Sequence, residues 1–568
     1  MSVADPTDDV TPSTPAQTGD DVSERRRWLD SFLKSTRAEQ NELARRESRA
    51  SWLRLVIFLI GLAVWIALNA LPLIALGLTA IVVAAFVVAV RRHASLKESR
   101  EELDRLVAAC EDAERRLGGA VVCIRSHAPP DDPAPESNDL PRIADDGECW
   151  TLSDQERGDL DLFTPPVGIY GLLNRTSTDI GARRLSEALT QPMLDGEHIL
   201  RRQRSVRLLC DAPEQRLRMI AACMALRDED RRLAALINAV SHAAPLRLFA
   251  PTGALRAWSL ASAALILGIC AATAGGVLSW LWLAPPLLIN AVIYFAIRPA
   301  LVENLHAWRD VSWALRGLLI TARCARRNLP EDPQLTTLRE RFAAVTPHDV
   351  LGGLMRRLGW AESGGMLQGL LNLVVLCDLH TAQSILKRVV PNRDAILESI
   401  AAVAELELHL SLAAFAWEQP AACWPEPCAE TRIDIRAGRH PLVDPERVVP
   451  NDLLLDERTR LWIVTGSNMA GKSTFLRMSA VNTLLAQIGT VALASEMTWR
   501  PVRLLTDLRA ADNIALNESY FLAEVRHLRR LIVSDAHPAP VFGLIDEPFR
   551  GTNSQDQSAA SVAVVRHL

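Results

Sequence analysis

The amino-acid sequence predicts a multidomain protein built from α-helical membrane hairpins, a helical core and a C-terminal α/β domain. Three observations carry this. Two runs of 36 and 41 residues, 55–90 and 257–297, contain no charged side chain. The stretches 150–250 and 299–417 are rich in Leu, Ala and Arg at helical spacing. Near the C-terminus, a glycine-rich loop lies between a short apolar run and a helix-forming segment.

With 568 residues the chain is too long for one hydrophobic core. Hydrophobic residues make up 49% of it beside 62 basic and 67 acidic side chains, so the apolar residues are concentrated in particular segments. The net charge of −5 excludes a global basic footprint of the kind that drives nucleic-acid binding by counterion release. Ten cysteines form no CxxC pair, and Cys423 and Cys428 have no nearby histidine pair to complete a zinc site. Reduced thiols in a cytosolic setting are expected.

Residues 1–25, rich in Asp, Thr, Ser and Pro, are expected to form a disordered tail. Region 26–118 reads as a charged helix, a transmembrane hairpin (about 55–71 and 73–90) and a second charged helix. A single helix over 55–90 would span ~54 Å against a hydrocarbon core of ~30 Å. Asn69-Ala70-Leu71-Pro72 provides the turn. Arg45, Arg46, Arg49 and Arg54 precede the run, and Arg91, Arg92 and Lys97 follow it, so both ends are expected on the cytoplasmic side. After Ser95, Leu96, Leu103, Leu106 and Val107 mark a coiled-coil extension. A proline-rich, acidic linker covers 119–149.

The helical core is expected in two parts, 150–252 and 298–417, separated by a second hairpin at 257–297. That hairpin contains Gly275-Gly276, the interface-type Trp258, Trp280 and Trp282, and Pro285-Pro286. The two prolines are expected to kink its second helix or make it partly re-entrant. Together the hairpins imply a multi-pass protein of the inner or plasma membrane, with both termini and the C-terminal domain in the cytoplasm.

The α/β domain, 418–568, carries the chemistry. Leu461 to Thr465 reads as a strand, and Gly466-Ser-Asn-Met-Ala-Gly471-Lys472-Ser473-Thr474 follows directly. Glycines let backbone N–H groups close around phosphate at the start of a helix, Lys472 can reach the β- and γ-phosphates, and Ser473 can ligate Mg2+. The expected phosphate-binding residues are Gly466, Asn468, Met469, Gly471, Lys472, Ser473 and Thr474. A second apolar run, Val541 to Ile545, ends in Asp546-Glu547, 75 residues after Gly471. This is a Walker B arrangement: Asp546 is the second Mg2+ residue, and Glu547 is placed to orient or deprotonate the attacking water. ATP and Mg2+ are the expected substrate and cofactor.

Four blocks resemble the ATPase domain of the MutS family of mismatch-repair proteins, an ABC-class fold. They are Arg439-His-Pro-Leu-Val443 with Val449-Pro-Asn-Asp452, Thr465 to Thr474, Asp512 to Glu524, and Asp546-Glu547 with Arg550-Gly-Thr-Asn-Ser554 and Asp556. The resemblance implies a MutS-like helical core upstream, beginning near Leu172 to Gly181, and covers roughly 160–250 and 300–568. It implies that the segment containing Asn451 helps hold the adenine. It also implies a homodimer in which Ser519 approaches the γ-phosphate bound by the partner's loop, making Glu547, Lys472 and Ser519 the catalytic set. Ala470 stands where the family usually has glycine, and Tyr520 where it has a small residue. The N-terminus holds a tail and hairpin where the family has its mismatch-recognition domain. The family's switch histidine and dimerisation helices would follow Leu568, so the ATPase domain is expected to be C-terminally incomplete as given.

The resulting expectation is a membrane-anchored MutS-like ATPase that binds and hydrolyses ATP at a dimer interface to drive conformational change. Two alternatives are a membrane-tethered repair or recombination factor that binds DNA directly, and a nucleotide-binding scaffold without turnover. DNA is a candidate partner through the family likeness and through Arg201, Arg202, Arg204 and Arg207, or Arg316, Arg323, Arg326 and Arg327. On helices, such clusters are more often solvated faces or salt-bridge partners.

Overall fold

The structure, a computed structural model, describes residues 15–67, 72–117, 140–141, 145–165, 167–227, 232–243, 251–274, 277–346, 366–467, 471–508, 529, 537–549 and 554–567. It is mostly helical, with small sheets near the C-terminus.

Two long helices, α1 (Pro15–Ala67) and α2 (Pro72–Leu117), form an antiparallel hairpin. Arg37 meets Glu111 at 2.7 Å, Gln40 donates to Asp104 at 2.5 Å, and Arg100 donates to Glu47 at 2.9 Å. Each helix runs unbroken from charged sequence into the apolar run, and Phe58, Leu59, Ile81 and Val88 are exposed. Helix α1 starts within the stretch expected to be a disordered tail. Proline suits a first helical position, and docking draws order backwards along the chain. Leu29 is buried, the Trp28 ring meets Trp417 edge-on at 6.0 Å, and Arg25 donates to the Trp417 carbonyl.

The helical core begins with α3 (Asp154–Asp159), α4 (Gly168–Leu173), α5 (Asp179–Thr190), α6 (Gly196–Cys210), α7 (Pro213–Cys223) and α8 (Arg232–Ser241). Side-chain caps set the starts of several. Ser153 and Glu156 form a capping box on α3, Thr178 accepts from Gly181 N–H on α5, and Asp195 accepts from Glu197 N–H on α6. After an apolar pair, α9 (Thr252–Ala274) and α10 (Ala284–Asp310), the core resumes with α11 (Ser312–Asn328) and α12 (Pro333–Val345). Then come α13 (Met366–Val375), α14 (Cys377–Val389) and α15 (Arg393–Glu418).

Both parts of the core close around α15, which packs against α5, α6, α7 and α12. It is buried on all sides, including Glu405, Glu407 and His409. Glu405 pairs with Arg184 at 2.6 Å, and Arg184 also holds Asp146 at 2.7 Å. Burial pushes the Glu405 carboxyl up, but Arg184, His409 and Arg202 outweigh it and hold it at about 2.

Among the described residues, three segments are long and apolar enough to cross a membrane: Thr252–Thr273, Trp280–Pro299 and Cys377–Glu418. The third lies wholly inside the protein and is core. The α9–α10 pair has a polar seam toward α13 and α14. Asn290 accepts from Trp258 Nε1 at 2.9 Å and donates to Ser262 at 3.1 Å and to the Leu373 carbonyl at 2.8 Å. The expected kink at Pro285-Pro286 is not found. The two prolines lie in the first turn of α10, preceded by a 3-10 turn at Trp280–Leu283. A first-turn N–H has no intrahelical acceptor, so little is lost there.

The C-terminal sheets are small. β1 (Glu426–Pro427), β2 (Ile433–Gly438), β3 (Asn451–Leu455) and β4 (Glu496–Trp499) form one sheet in the order β1-β4-β2-β3. Helix α16 (Lys472–Gln487) packs on β2, and its Met478 sulfur closes on Gly438. A parallel pair, β5 (Arg503–Asp507) and β6 (Val541–Ile545), and helix α17 (Ser554–His567) complete the described elements. The expected strand at Leu461 to Thr465 is not formed, and Ile463 is 70% exposed. An extended segment becomes a strand only when a neighbouring backbone pairs with it. Among the described residues none pairs with 461–465, and its one anchor is Trp462, which donates to the Leu454 carbonyl at 3.0 Å and stacks on Phe475.

Candidate functional site

The site forms where the start of α16 meets the end of β6. Gly471 is the N-cap of α16 at φ +85°. A Cβ there would touch nothing within 4 Å, so glycine is needed for the left-handed backbone and not for space. Lys472 folds back and its Nζ donates to the Gly466 carbonyl at 2.8 Å, closing the loop on itself. Ser473 Oγ donates to the Asp546 carboxylate across 73 positions of sequence. Thr474 is exposed in the first turn. Asn468 and Met469 lie outside the described residues, as does Ser519.

Asp546 is held by the ladder that precedes it. β5 and β6 pair in register from Arg503↔Val541 to Asp507↔Ile545, and Asp546 N–H continues the ladder to the Asp507 carbonyl at 2.9 Å. The chain then turns sharply, with Glu547 at φ +51° and Phe549 at φ +61°. Left-handed backbone costs a non-glycine residue ~1–2 kcal/mol, and the buried Phe549 ring anchors the turn. Glu547 is exposed beside Asp546. The structure therefore brings Gly466, Gly471, Lys472, Ser473, Asp546 and Glu547 to one place. Asn451 is apart: it begins β3, is exposed, and donates to the Val449 carbonyl at 2.8 Å.

These residues suit a bound nucleotide and a divalent cation. A helix N-terminus faces the loop, the lysine among the described residues is tied to a carbonyl of that loop, and a hydroxyl and a carboxylate already converge. Above the site, Asn482 on α16 is fully buried. It donates to the Arg439 carbonyl at 3.1 Å and accepts from Leu493 N–H at 2.7 Å, fixing the Arg439-His440 segment against the helix. Burial pushes the His440 imidazole down to about 4, so it is neutral at physiological pH.

A supporting shell was not foreseen from the sequence. Asp159, at the end of α3, accepts from Thr506 Oγ1 at 2.8 Å and from Leu508 N–H at 2.9 Å, and Arg477 of α16 donates to its carbonyl at 3.1 Å. Gln155 donates to Asp507 at 2.9 Å, and Trp150 Nε1 to the Leu504 carbonyl at 3.2 Å. The first helix of the core thus leans directly on β5, the neighbour of the strand that presents Asp546. No local pattern marks Asp159, because its partners lie more than 300 positions away.

The arginine clusters considered for DNA divide. Arg202 is 2% exposed and paired with Asp146, Arg201 pairs with Glu197 at 2.9 Å, and Arg207 lies over the Trp424 ring at 5.9 Å. Those three have structural roles. Arg316, Arg323, Arg326 and Arg327 are exposed along α11, with Arg326 donating to Thr346.

A helical core joined to a unit in which a glycine-capped helix faces an acid-ended strand defines a class of phosphate-site proteins. A family model described as MutS domain III matches residues 153–413, and one described as MutS domain V matches residues 462–568. The chain belongs to the MutS family.

Proposed function

We propose that this chain is a membrane-anchored MutS-type ATPase, in which two copies close on ATP and its hydrolysis moves the helical arms. The observation that carries this is the hydrogen bond from Ser473 to Asp546, which joins the glycine-rich loop to the acid-ended strand. In this reading, the loop from Gly466 to Gly471 cradles the phosphates with backbone N–H groups, and the start of α16 adds its dipole. Lys472 exchanges the Gly466 carbonyl for phosphate oxygens. Ser473 and Asp546 hold Mg2+, which when bound supplies charge neutralisation at the phosphates. Glu547 orients the attacking water and takes its proton, and Ser519 of each copy completes the other's site.

The membrane part rests on the outward-facing apolar residues. Phe58, Ile81 and Val88 on the first hairpin, and Leu267, Leu288, Val292 and Phe295 on the second, are each more than half exposed. Such surface is stable against lipid and costly against water. Four spans with the ATP site and both termini in the cytoplasm follow from the flanking arginines.

Full-length protein and two variants test the site. Lys472→Ala is expected to abolish ATP binding, and Glu547→Gln to retain binding while lowering turnover by at least ~100-fold. Unchanged binding and turnover in both variants would overturn the mechanism.

A further inference from the structure

We propose that the cavity enclosed by α2, the α4–α5 turn, α7 and α15 is a binding site for a small, soluble phosphate ester, separate from the ATP site. The cavity holds about 170 Å³. One wall is apolar, with Ala109, Leu217 and Met224. The rest carries Arg115, Arg116, Arg175 and Arg216 with the carboxylates of Asp112 and Glu418.

Arg115 lies 4.0 Å from the Asp112 carboxylate, and two more of these arginines are closely matched. Arg116 donates to Asp112 at 3.0 Å, and Arg175 pairs with Glu418, with both side chains 5% exposed or less. Arg216 differs. It is 2% exposed, its Nη1 donates to the Leu209 and Cys210 carbonyls at 2.9 and 2.8 Å, and its Nε has no hydrogen-bond partner. Its guanidinium lies 5.1 Å from the Trp417 ring. Among the described residues no ion pair joins it to a carboxylate. The two carbonyls end α6, and a helix C-terminus supplies only about half a negative charge. Burial, opposed by Glu418 and reinforced by Arg25 and Arg175, pushes the guanidinium down to about 10. A buried cation left under-compensated is costly, and an anion in the adjacent cavity relieves that cost.

Phosphate suits this wall better than a single carboxylate. It carries close to two charges, and its oxygens match the guanidinium fork. The apolar wall takes the organic part of the ester. The source is a soluble molecule because of where the cavity sits. Helix α2 is continuous, and Ala108 lies 18 residues beyond Val90, ~27 Å along the axis and past the reach of a lipid headgroup. An occupant would touch α2, α7 and α15 at once, so it would fasten the long hairpin to the core.

The test uses full-length protein in lipid nanodiscs, in a Lys472→Ala background that silences the other phosphate site. Phenyl phosphate and inorganic phosphate are titrated by calorimetry and thermal shift. Saturable binding is expected, weakened at least about tenfold (~1.4 kcal/mol) by Arg216→Met. Ala113→Leu, which narrows the cavity without changing charge, is expected to weaken phenyl phosphate to a similar degree and carries the test if Arg216→Met fails to fold. Absence of binding at millimolar ligand, or equal affinity with the cavity narrowed or the cation removed, would overturn the proposal.

Discussion

Glu407 is buried on α15 among donors rather than cations. It accepts from Ser177 N–H at 2.8 Å and from the Thr178 hydroxyl at 2.5 Å, with Asp179 adding a like charge. Burial pushes its carboxyl up to about 7, and the hydrogen bonds only partly oppose this. A raised carboxyl binds its proton more tightly folded than unfolded, so its contribution to stability is complete at acid pH and is lost as pH rises toward 7. The stability of the wild type is expected to fall by on the order of 2–3 kcal/mol between about pH 4.5 and 7, read out as a lower melting temperature. Glu407→Gln is expected to remove this slope while keeping an acceptor for Ser177. An unchanged slope in the variant would show that another group titrates. Neighbouring Glu405, just over half a turn away, has the opposite tendency because Arg184 faces it. Two identical side chains on one helix are thus set apart by their partners.

At the scale of elements, α3 does more than its six residues suggest. Asp159→Ala would leave the buried Thr506 hydroxyl and Leu508 N–H without their acceptor, each worth ~1–3 kcal/mol. Because β5 holds β6, the expected outcome is a lower melting temperature together with slower ATP turnover at unchanged ATP affinity. If turnover stays at the wild-type rate in the folded variant, α3 supports the fold without positioning the site.

The elements also show what the sequence could and could not convey. The glycine-rich loop and the acid-ended strand were legible because each motif carries its chemistry within a few consecutive residues. Asp159 and Arg216 were not, because each acquires meaning from side chains brought in by other helices. The prolines of the second hairpin were expected to kink its second helix or make it partly re-entrant, but their effect depends on where the helix begins, and α10 begins one residue before them. The strand expected at Leu461 had the right composition, but strand formation is a property of a pair.

For the whole molecule, the decisive contrast is between apolar segments that face outward and one that faces inward. The α9 and α10 segments and Cys377–Glu418 are all apolar enough to cross a membrane, yet among the described residues only the last is enclosed by its own protein. In cell fractionation the chain is expected to stay with membranes through alkaline carbonate extraction. Release into the supernatant as soluble, folded protein would sink the four-span reading. Helical spacing on either side of 257–297 marked segments that are helical in the structure, whereas their closure on one buried helix left no mark in the sequence.

That closure sets a timetable for the growing chain. The Ser177 N–H finds its acceptor on Glu407, 230 positions later. At ~5–20 residues per second of synthesis, the early helices wait roughly 10–50 s before α15 exists. Their inner faces stay uncovered meanwhile, and α9 and α10 are made within that interval. A ribosome that pauses between Ala274 and Arg393 therefore prolongs the period in which the nascent chain most needs a chaperone.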